Sequence, residues 1–82
     1  MKIIIGIDVG GSTTKICGFR GTELLEPLFV KAADPVASVY GGFGKFTSQN
    51  GIALTDIERV MITGVGSAYI SSEIYGLKTE HV

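Results

Sequence analysis

The chain reads as an α/β domain with a mixed sheet and the element order βββαβα. Three observations predict this. Residues 2–31 hold three strand-like segments separated by two short turns, each bearing glycine. Asp34-Pro35 then opens a run of apolar residues at three- and four-residue spacing, the period of a helix. A β-branched segment, Arg59 to Thr63, comes next and ends in a glycine turn.

The first strand is expected from about Lys2 to Val9, around the buried run Ile3-Ile4-Ile5-Gly6-Ile7. The second is expected over Thr13–Arg20. Gly21-Thr22 turns the chain into a third, Glu23 to Lys31, with Leu24, Leu28 and Val30 apolar. Short turns between such segments give an antiparallel meander. In the second strand Thr14, Ile16 and Gly18 share one face, and Lys15, Cys17 and Phe19 share the other. Cys17 reads as a small core residue.

Asp34 suits a helix N-cap and Pro35 the first helical position, which predicts a helix over 35–49. Val36, Val39, Tyr40, Phe43 and Phe46 line its apolar face, and Asn50-Gly51 closes it. Gly41, Gly42 and Gly44 each cost that helix roughly 1 kcal/mol relative to alanine. Small residues there permit close packing on a sheet. The string Gly41-Gly42-Phe43-Gly44-Lys45 is not read as a phosphate loop, because it lies inside the helical periodicity and no strand feeds it.

Thr55 to Glu58 matches a capping box and predicts one helical turn. The fourth strand, Arg59–Thr63, leads through Gly64-Val65-Gly66-Ser67 into a second helix expected from Ser67 to Tyr75. Ala68, Ile70, Ser71, Ile74 and Tyr75 would form its buried face, with Gly76 ending it. Leu77 to Val82 is extended. The crossover through the first helix predicts a fourth strand parallel in the same sheet, reached right-handedly.

Composition narrows the function classes. The 82 residues make one small domain with a modest core. Seven basic and eight acidic residues give a net charge of −1. The absence of a basic stripe argues against nucleic acid and anionic membranes as partners. The hydrophobic fraction is 45%, which fits apolar faces covered by something outside these residues. The longest apolar run, Ile3 to Ile7, is far short of a membrane span. Lys2 and the early Asp8 do not fit a signal peptide. A single cysteine makes no internal disulfide, so a reducing, cytoplasmic setting is expected. Repeats, low-complexity segments and internal domain boundaries are not evident.

The chemistry concentrates at Asp8, Val9, Gly10, Gly11, Ser12, Thr13, Thr14 and Lys15. A carboxylate ending a buried strand can hold a magnesium ion (Mg2+), usually through water. Glycines let backbone N–H groups approach phosphate oxygens. The hydroxyls and the Lys15 ammonium add donors. Neither GxxxxGK(S/T) nor GxGxxG is present. The segment after the glycines reads as a strand, so this phosphate turn is a hairpin. The competing reading is an ordinary hairpin in which the glycines supply positive φ and Asp8 is a turn residue.

A second candidate is Thr63-Gly64-Val65-Gly66-Ser67, at the carboxyl end of a strand and the start of the expected second helix. Ligands of open α/β sheets gather there, and Gly64, Gly66 and Ser67 could face the same crevice. The plainer alternative is a glycine turn with Ser67 as N-cap. His81 reads as an exposed or interface histidine. Glu73 and Glu80 could act as bases, although Glu73 fits a solvated helix face better.

A strand, a Gly-Gly hairpin and a preceding aspartate resemble the first phosphate motif of the actin-like ATPase and sugar-kinase superfamily. The meander followed by βα units resembles a ribonuclease H-like half-domain. Taken together, GIDVGGSTTKI at Gly6–Ile16 and VMITGVGSAYI at Val60–Ile70 resemble the N-terminal part of type II pantothenate kinases. The tail Gly76 to Val82 resembles the segment leading to that family's catalytic glutamate. The resemblance implies that Asp8 to Lys15 bind ATP phosphates with Asp8 near magnesium, in a homodimeric enzyme that phosphorylates pantothenate to open coenzyme A synthesis. It also implies a general base just after Val82, so that no catalytic residue lies in this chain, which would be the N-terminal part of a longer kinase, inactive alone. The nearest rival is the ATPase activator of 2-hydroxyacyl-CoA dehydratases. That family shares a similar hairpin and Thr-Gly-x-Gly turn, and carries an iron–sulfur cluster whose cysteines lie downstream. A nucleotide-switched actin-like assembly protein and a non-catalytic interaction module are further alternatives.

Overall fold

The computed structural model describes residues 2–31 and 34–82. Strand β1 (Ile3–Val9) alternates cleanly, with Ile3, Ile5, Ile7 and Val9 buried on one face. Strand β2 (Thr13–Arg20) has the expected boundaries and pairs antiparallel with β1, setting Val9 opposite Thr14 and Asp8 opposite Lys15. Helix α1 (Pro35–Gln49) also has the expected span. Asp34 caps it, its Oδ1 accepting from the Val36 N–H at 3.0 Å, and Asn50 is the C-cap.

The expected third strand is interrupted. It forms as β3 (Glu23–Leu24) and β4 (Leu28–Lys31), both paired with β2. Phe19 faces Leu24 and Ile16 faces Leu28, so three residues on one side span two on the other. This is a bulge. Pro27 explains its position, because proline has no N–H to give a ladder. The side chain of Asn50 fills the gap, accepting from the Glu26 N–H at 3.0 Å and donating to the Glu26 carbonyl at 3.1 Å.

Strand β5 (Ile57–Thr63) begins two residues before the expected start and runs parallel to β1. Leu54–Asp56 is a single 3-10 turn without a side-chain cap. The capping box from Thr55 to Glu58 does not form, because Glu58 already belongs to β5.

The second expected helix is absent. Only Ser67–Tyr69 winds, as one 3-10 turn, and the chain then makes a hairpin of β6 (Glu73–Ile74) and β7 (Leu77–His81). The Ile70 and Ile74 spacing that looked helical is real burial, at 6% and 0% exposure, but Ala68, Ser71 and Tyr75 are exposed. Two local effects decide against the helix. The Ser71 hydroxyl donates to the Glu73 carbonyl at 2.6 Å, drawing the backbone into a turn. Tyr75 and Gly76 both take positive φ, 51° and 82°, as the central pair of a two-residue hairpin turn. A tyrosine there is held by tertiary contact: its ring stacks edge-on against Tyr40 at 5.3 Å, and its hydroxyl donates to the Tyr40 carbonyl at 3.2 Å.

The sheet order is β3-β2-β1-β5-β7-β6, with β4 beside β2 in line with β3. It is mixed, as expected: β1, β5 and β7 are parallel, and the outer pairings are antiparallel. Helix α1 covers one face. Val39, Phe43 and Phe46 join the buried isoleucines of β1, β2 and β5 in one cluster. Gly42 permits this approach, since a Cβ there would sit 3.0 Å from both Ile16 Cδ1 and Val30 Cγ2. A Cβ on Gly41 or Gly44 would meet nothing, so close packing explains only one of the three. Val36, expected on the buried face, is 39% exposed.

The opposite sheet face is open among the described residues. Ile4, Phe19 and Phe29 are exposed on it, and so is Cys17. Cys17 is therefore not a core residue. Its face follows from strand alternation, but only one face is covered. Among the described residues no helix is long and apolar enough to cross a membrane.

These placements give opposite expectations for two substitutions. Phe46→Ala should cost about 3–5 kcal/mol in urea unfolding. Cys17→Ser should stay within about 0.5 kcal/mol of the parent.

Candidate functional site

The hairpin tip forms where β1 and β2 leave the core. The Gly10 N–H donates to the Thr13 carbonyl at 2.9 Å, closing a turn with Gly11 and Ser12 at its centre. Neither Gly10 nor Gly11 has positive φ. The ordinary-hairpin explanation for the two glycines thus fails. Gly10 is needed for space, because a Cβ would lie 2.7 Å from the Thr13 oxygen. Gly11 is different. A Cβ there would meet nothing within 4 Å, so the fold gives no steric reason for glycine at that position.

Alternation sorts the candidate ligands. Ser12 is exposed, Thr13 half-buried and Lys15 exposed. Val9 and Thr14 are buried on the α1 face, at 0% and 2% exposure. Their side chains are therefore not presented with Lys15, although the sequence grouped all eight residues together. Asp8 and Lys15 sit opposite each other on the open face, with Nζ 3.3 Å from Oδ2 and side chains 45% and 56% exposed. An ion pair this exposed contributes about 0–1 kcal/mol, so both groups can re-pair with a ligand at little cost.

The second candidate turn is packed against the first. Register places Asp8 beside Thr63 across the β1–β5 ladder. The Gly66 N–H donates to the Val9 carbonyl at 2.8 Å. Gly64 adopts φ 101°, and a Cβ on it would overlap the Val9 carbonyl oxygen and lie 2.6 Å from Asp8 Oδ1. A Cβ on Gly66 would lie 2.6 Å from Val9 Cγ1. Gly64 and Gly66 are thus fitted to the hairpin. Ser67 opens a 3-10 turn too short to offer a helix dipole, so the expected helix N-terminus at this site is missing.

Two hollows flank the tip. One, of about 450 Å³, lies between Gly10, Gly11 and Gly66 and the start of α1, walled by Val36, Val65 and Tyr69. Val65 and Tyr69 are 82% and 71% exposed; both lie in the second motif, but the sequence singles out neither side chain as a site residue. The other, of about 470 Å³, lies on the open sheet face. Gly6, Cys17, Phe29 and Met61 form much of its lining, while Asp8, Lys15 and Thr63 supply polar groups. That wall is mostly apolar, with the Asp8–Lys15 pair and Thr63 as its polar part.

The donor set fits a magnesium–phosphate group: a half-exposed carboxylate, a nearby ammonium, two accessible hydroxyl residues and an unobstructed glycine. It does not fit an iron–sulfur cluster. Among the described residues no group of three His, Cys, Asp or Glu could hold a metal, and Cys17 stands alone. Glu80 is engaged elsewhere. Arg59 grips it with two bonds, Nε to Oε2 at 2.8 Å and Nη2 to Oε1 at 2.6 Å. Hydrogen bonding to that guanidinium holds the Glu80 carboxyl below its ordinary value, against a smaller opposing effect of burial. A carboxylate so stabilised is a poor general base. His81 is exposed at the end of β7, and Glu73 is exposed in β6.

No protein-family profile matches the chain, and no curated protein matches it. Solved structures do. The activator of 2-hydroxyisocaproyl-CoA dehydratase from Clostridium difficile, with bound ADPNP, superposes with a TM-score of 0.80 at 18% identity, over 98% of this chain and 28% of its own. Component A of (R)-2-hydroxyglutaryl-CoA dehydratase from Acidaminococcus fermentans gives 0.81 at 17% identity, over 100% of this chain and 30% of its own. Apo psk41 ParM gives 0.64 at 14% identity, over 99% and 36%. The chain therefore spans under a third of the length of either of the first two proteins. The likeness establishes the fold, an actin-like ATPase half-domain of the ribonuclease H-like kind.

Two outcomes follow from the geometry. Gly64→Ala should destabilise the chain by about 1 kcal/mol or more, whereas Gly11→Ala should stay within about 0.5 kcal/mol, both read from urea midpoints. The Glu80 carboxyl, followed by NMR, should titrate at lower pH in the parent than in Arg59→Ala. The pair's contribution to stability is present near neutral pH and lost as pH falls through the folded-state value of Glu80.

Proposed function

We propose that this chain is the phosphate-binding part of an actin-like ATPase that activates a 2-hydroxyacyl-CoA dehydratase. The observation that carries the reading is the joined site. An Asp8–Lys15 hairpin and a glycine turn meet at the carboxyl ends of parallel strands, within a fold shared with a dehydratase activator and a dehydratase component A. The activator has ADPNP bound, which supports a nucleotide as ligand. The similarity favours this reading over the pantothenate kinase that the sequence motifs resembled. Pantothenate and the homodimer belonged to that resemblance and are set aside with it.

In this reading the Gly11 N–H and the Ser12 and Thr13 hydroxyls donate to phosphate oxygens. Lys15 leaves Asp8 for the phosphates, and Asp8 is freed to hold magnesium through water. A bound magnesium ion would supply charge neutralisation on the phosphates. The chain's own residues position and neutralise. Thr14 and Val9 hold the hairpin to the core and touch no ligand.

Calorimetric titration of the chain with ADPNP and magnesium tests the site. Binding should require magnesium, and Lys15→Ala should weaken it about tenfold or more, the worth of a charge-assisted hydrogen bond. Gly11→Ala should weaken binding while leaving the unfolding midpoint in place. Binding indifferent to both substitutions would remove the phosphate assignment. For a full-length parent, ATP-dependent onset of 2-hydroxyacyl-CoA dehydration on mixing with the dehydratase is the expected result. Phosphorylation of pantothenate instead would return the reading to the kinase.

A further inference from the structure

Asn50 and Gly51, which close α1, form an Asn–Gly pair. Backbone attack on a side-chain amide is least hindered there, because glycine carries no Cβ. The fold gives that amide structural work. Its Oδ1 accepts from the Glu26 N–H at 3.0 Å, and its Nδ2 donates to the Glu26 carbonyl at 3.1 Å and the Phe46 carbonyl at 3.0 Å. The amide thus acts as a strand neighbour for the bulge between β3 and β4 and ties it to the last turn of α1. Gln49 Nε2 donates to the same Glu26 carbonyl at 3.2 Å, and Arg20 Nη2 donates to the Asn50 carbonyl at 3.2 Å.

We propose that Asn50 is a deamidation site, that the folded chain holds it shut, and that its conversion unlatches the bulged edge strand from α1. The Gly51 nitrogen attacks Asn50 Cγ and loses its proton as the bond to Nδ2 breaks and ammonia leaves. Water then opens the cyclic imide at either carbonyl, giving aspartate or isoaspartate. The step needs no oxidant, reductant or cofactor. In the fold the amide is clamped by three hydrogen bonds, and the Gly51 N–H is already donated to the Ser48 carbonyl at 3.3 Å. After conversion the Glu26 and Phe46 carbonyls face an ionised carboxylate, which can only accept. Acceptor then meets acceptor at both contacts, and each carbonyl loses one of its two donors, the Glu26 carbonyl keeping Gln49 Nε2 and the Phe46 carbonyl keeping the Asn50 N–H. Isoaspartate also lengthens the backbone by a methylene just before Gly51, which is held at φ 64°. Reclosure is therefore disfavoured, and the change runs one way.

Peptide mapping of the full chain, incubated at mildly alkaline pH in native buffer and in urea, tests both halves. Conversion at Asn50 should be about tenfold or more slower in the native state, since it must wait for local opening. The converted fraction should show a lower urea midpoint and faster proteolysis around residues 25–28 than the unconverted fraction. Asn50→Asp, made directly, should lower Tm. Equal rates in buffer and urea would overturn the claim that the fold holds the site shut. An unchanged midpoint in the converted fraction, or in Asn50→Asp, would overturn the latch. Failure of Asn50→Asp to fold would support the latch, and the rate comparison on the unsubstituted chain would still judge the site.

Discussion

The parallel pairing of β1 with β5 is the constraint on which the rest of this structure depends. It sets Asp8 beside Thr63 and leaves the two glycine-bearing turns at one edge of the sheet. The Gly66 N–H bonded to the Val9 carbonyl carries that pairing one step past the strand end. Strand alternation then decides what the site contains. A register slip of one residue would turn Asp8 and Lys15 into the α1 face and bring Val9 and Thr14 out. Ile3, Ile5, Ile7 and Val9 of β1 make such a slip costly, because each would leave a buried position.

The site also depends on unequal coverage of the sheet. Helix α1 seals one face with Phe43 and Phe46, and the other face carries exposed Ile4, Phe19 and Phe29. Asp8 and Lys15 stand where the open face meets the carboxyl edge. There they are solvated enough to exchange partners, yet held by the ladder at fixed spacing. The bulged outer strand beside β2 is fastened differently. Its backbone is satisfied partly by the Asn50 amide, so the order of the sheet edge rests on the end of the helix.

Where local chemistry was decisive, the chain could be read directly. Asp34-Pro35 and Asn50-Gly51 bound α1 correctly, because a cap and a stop signal act within a few residues. The alternation of β2 sorted Lys15 from Thr14 before any contact was known. Glu23 to Lys31 looks continuous in sequence although Pro27 marks the break, because a bulge is visible only in the partner's register. Ser67 to Tyr75 failed for a related reason. Ile70 and Ile74 have helical spacing and are buried, yet Tyr75 takes positive φ by leaning on Tyr40, a residue far away in sequence. Cys17 lay on the expected face, but nothing in the sequence states whether a face is covered.

The sequence by itself determined the α/β class, the glycine-bearing hairpin and the charged residues that flank it. Strand periodicity, capping and glycine placement act over a few residues and leave a local trace. Tertiary structure alone decided that the two glycine turns touch, that Gly64 and Gly66 are required by that contact, and that Gly11 is not required by the fold. It also placed Thr14 with the core and engaged Glu80 with Arg59. These outcomes depend on distances between segments far apart in the chain, and such distances exist only once β1 and β5 have paired.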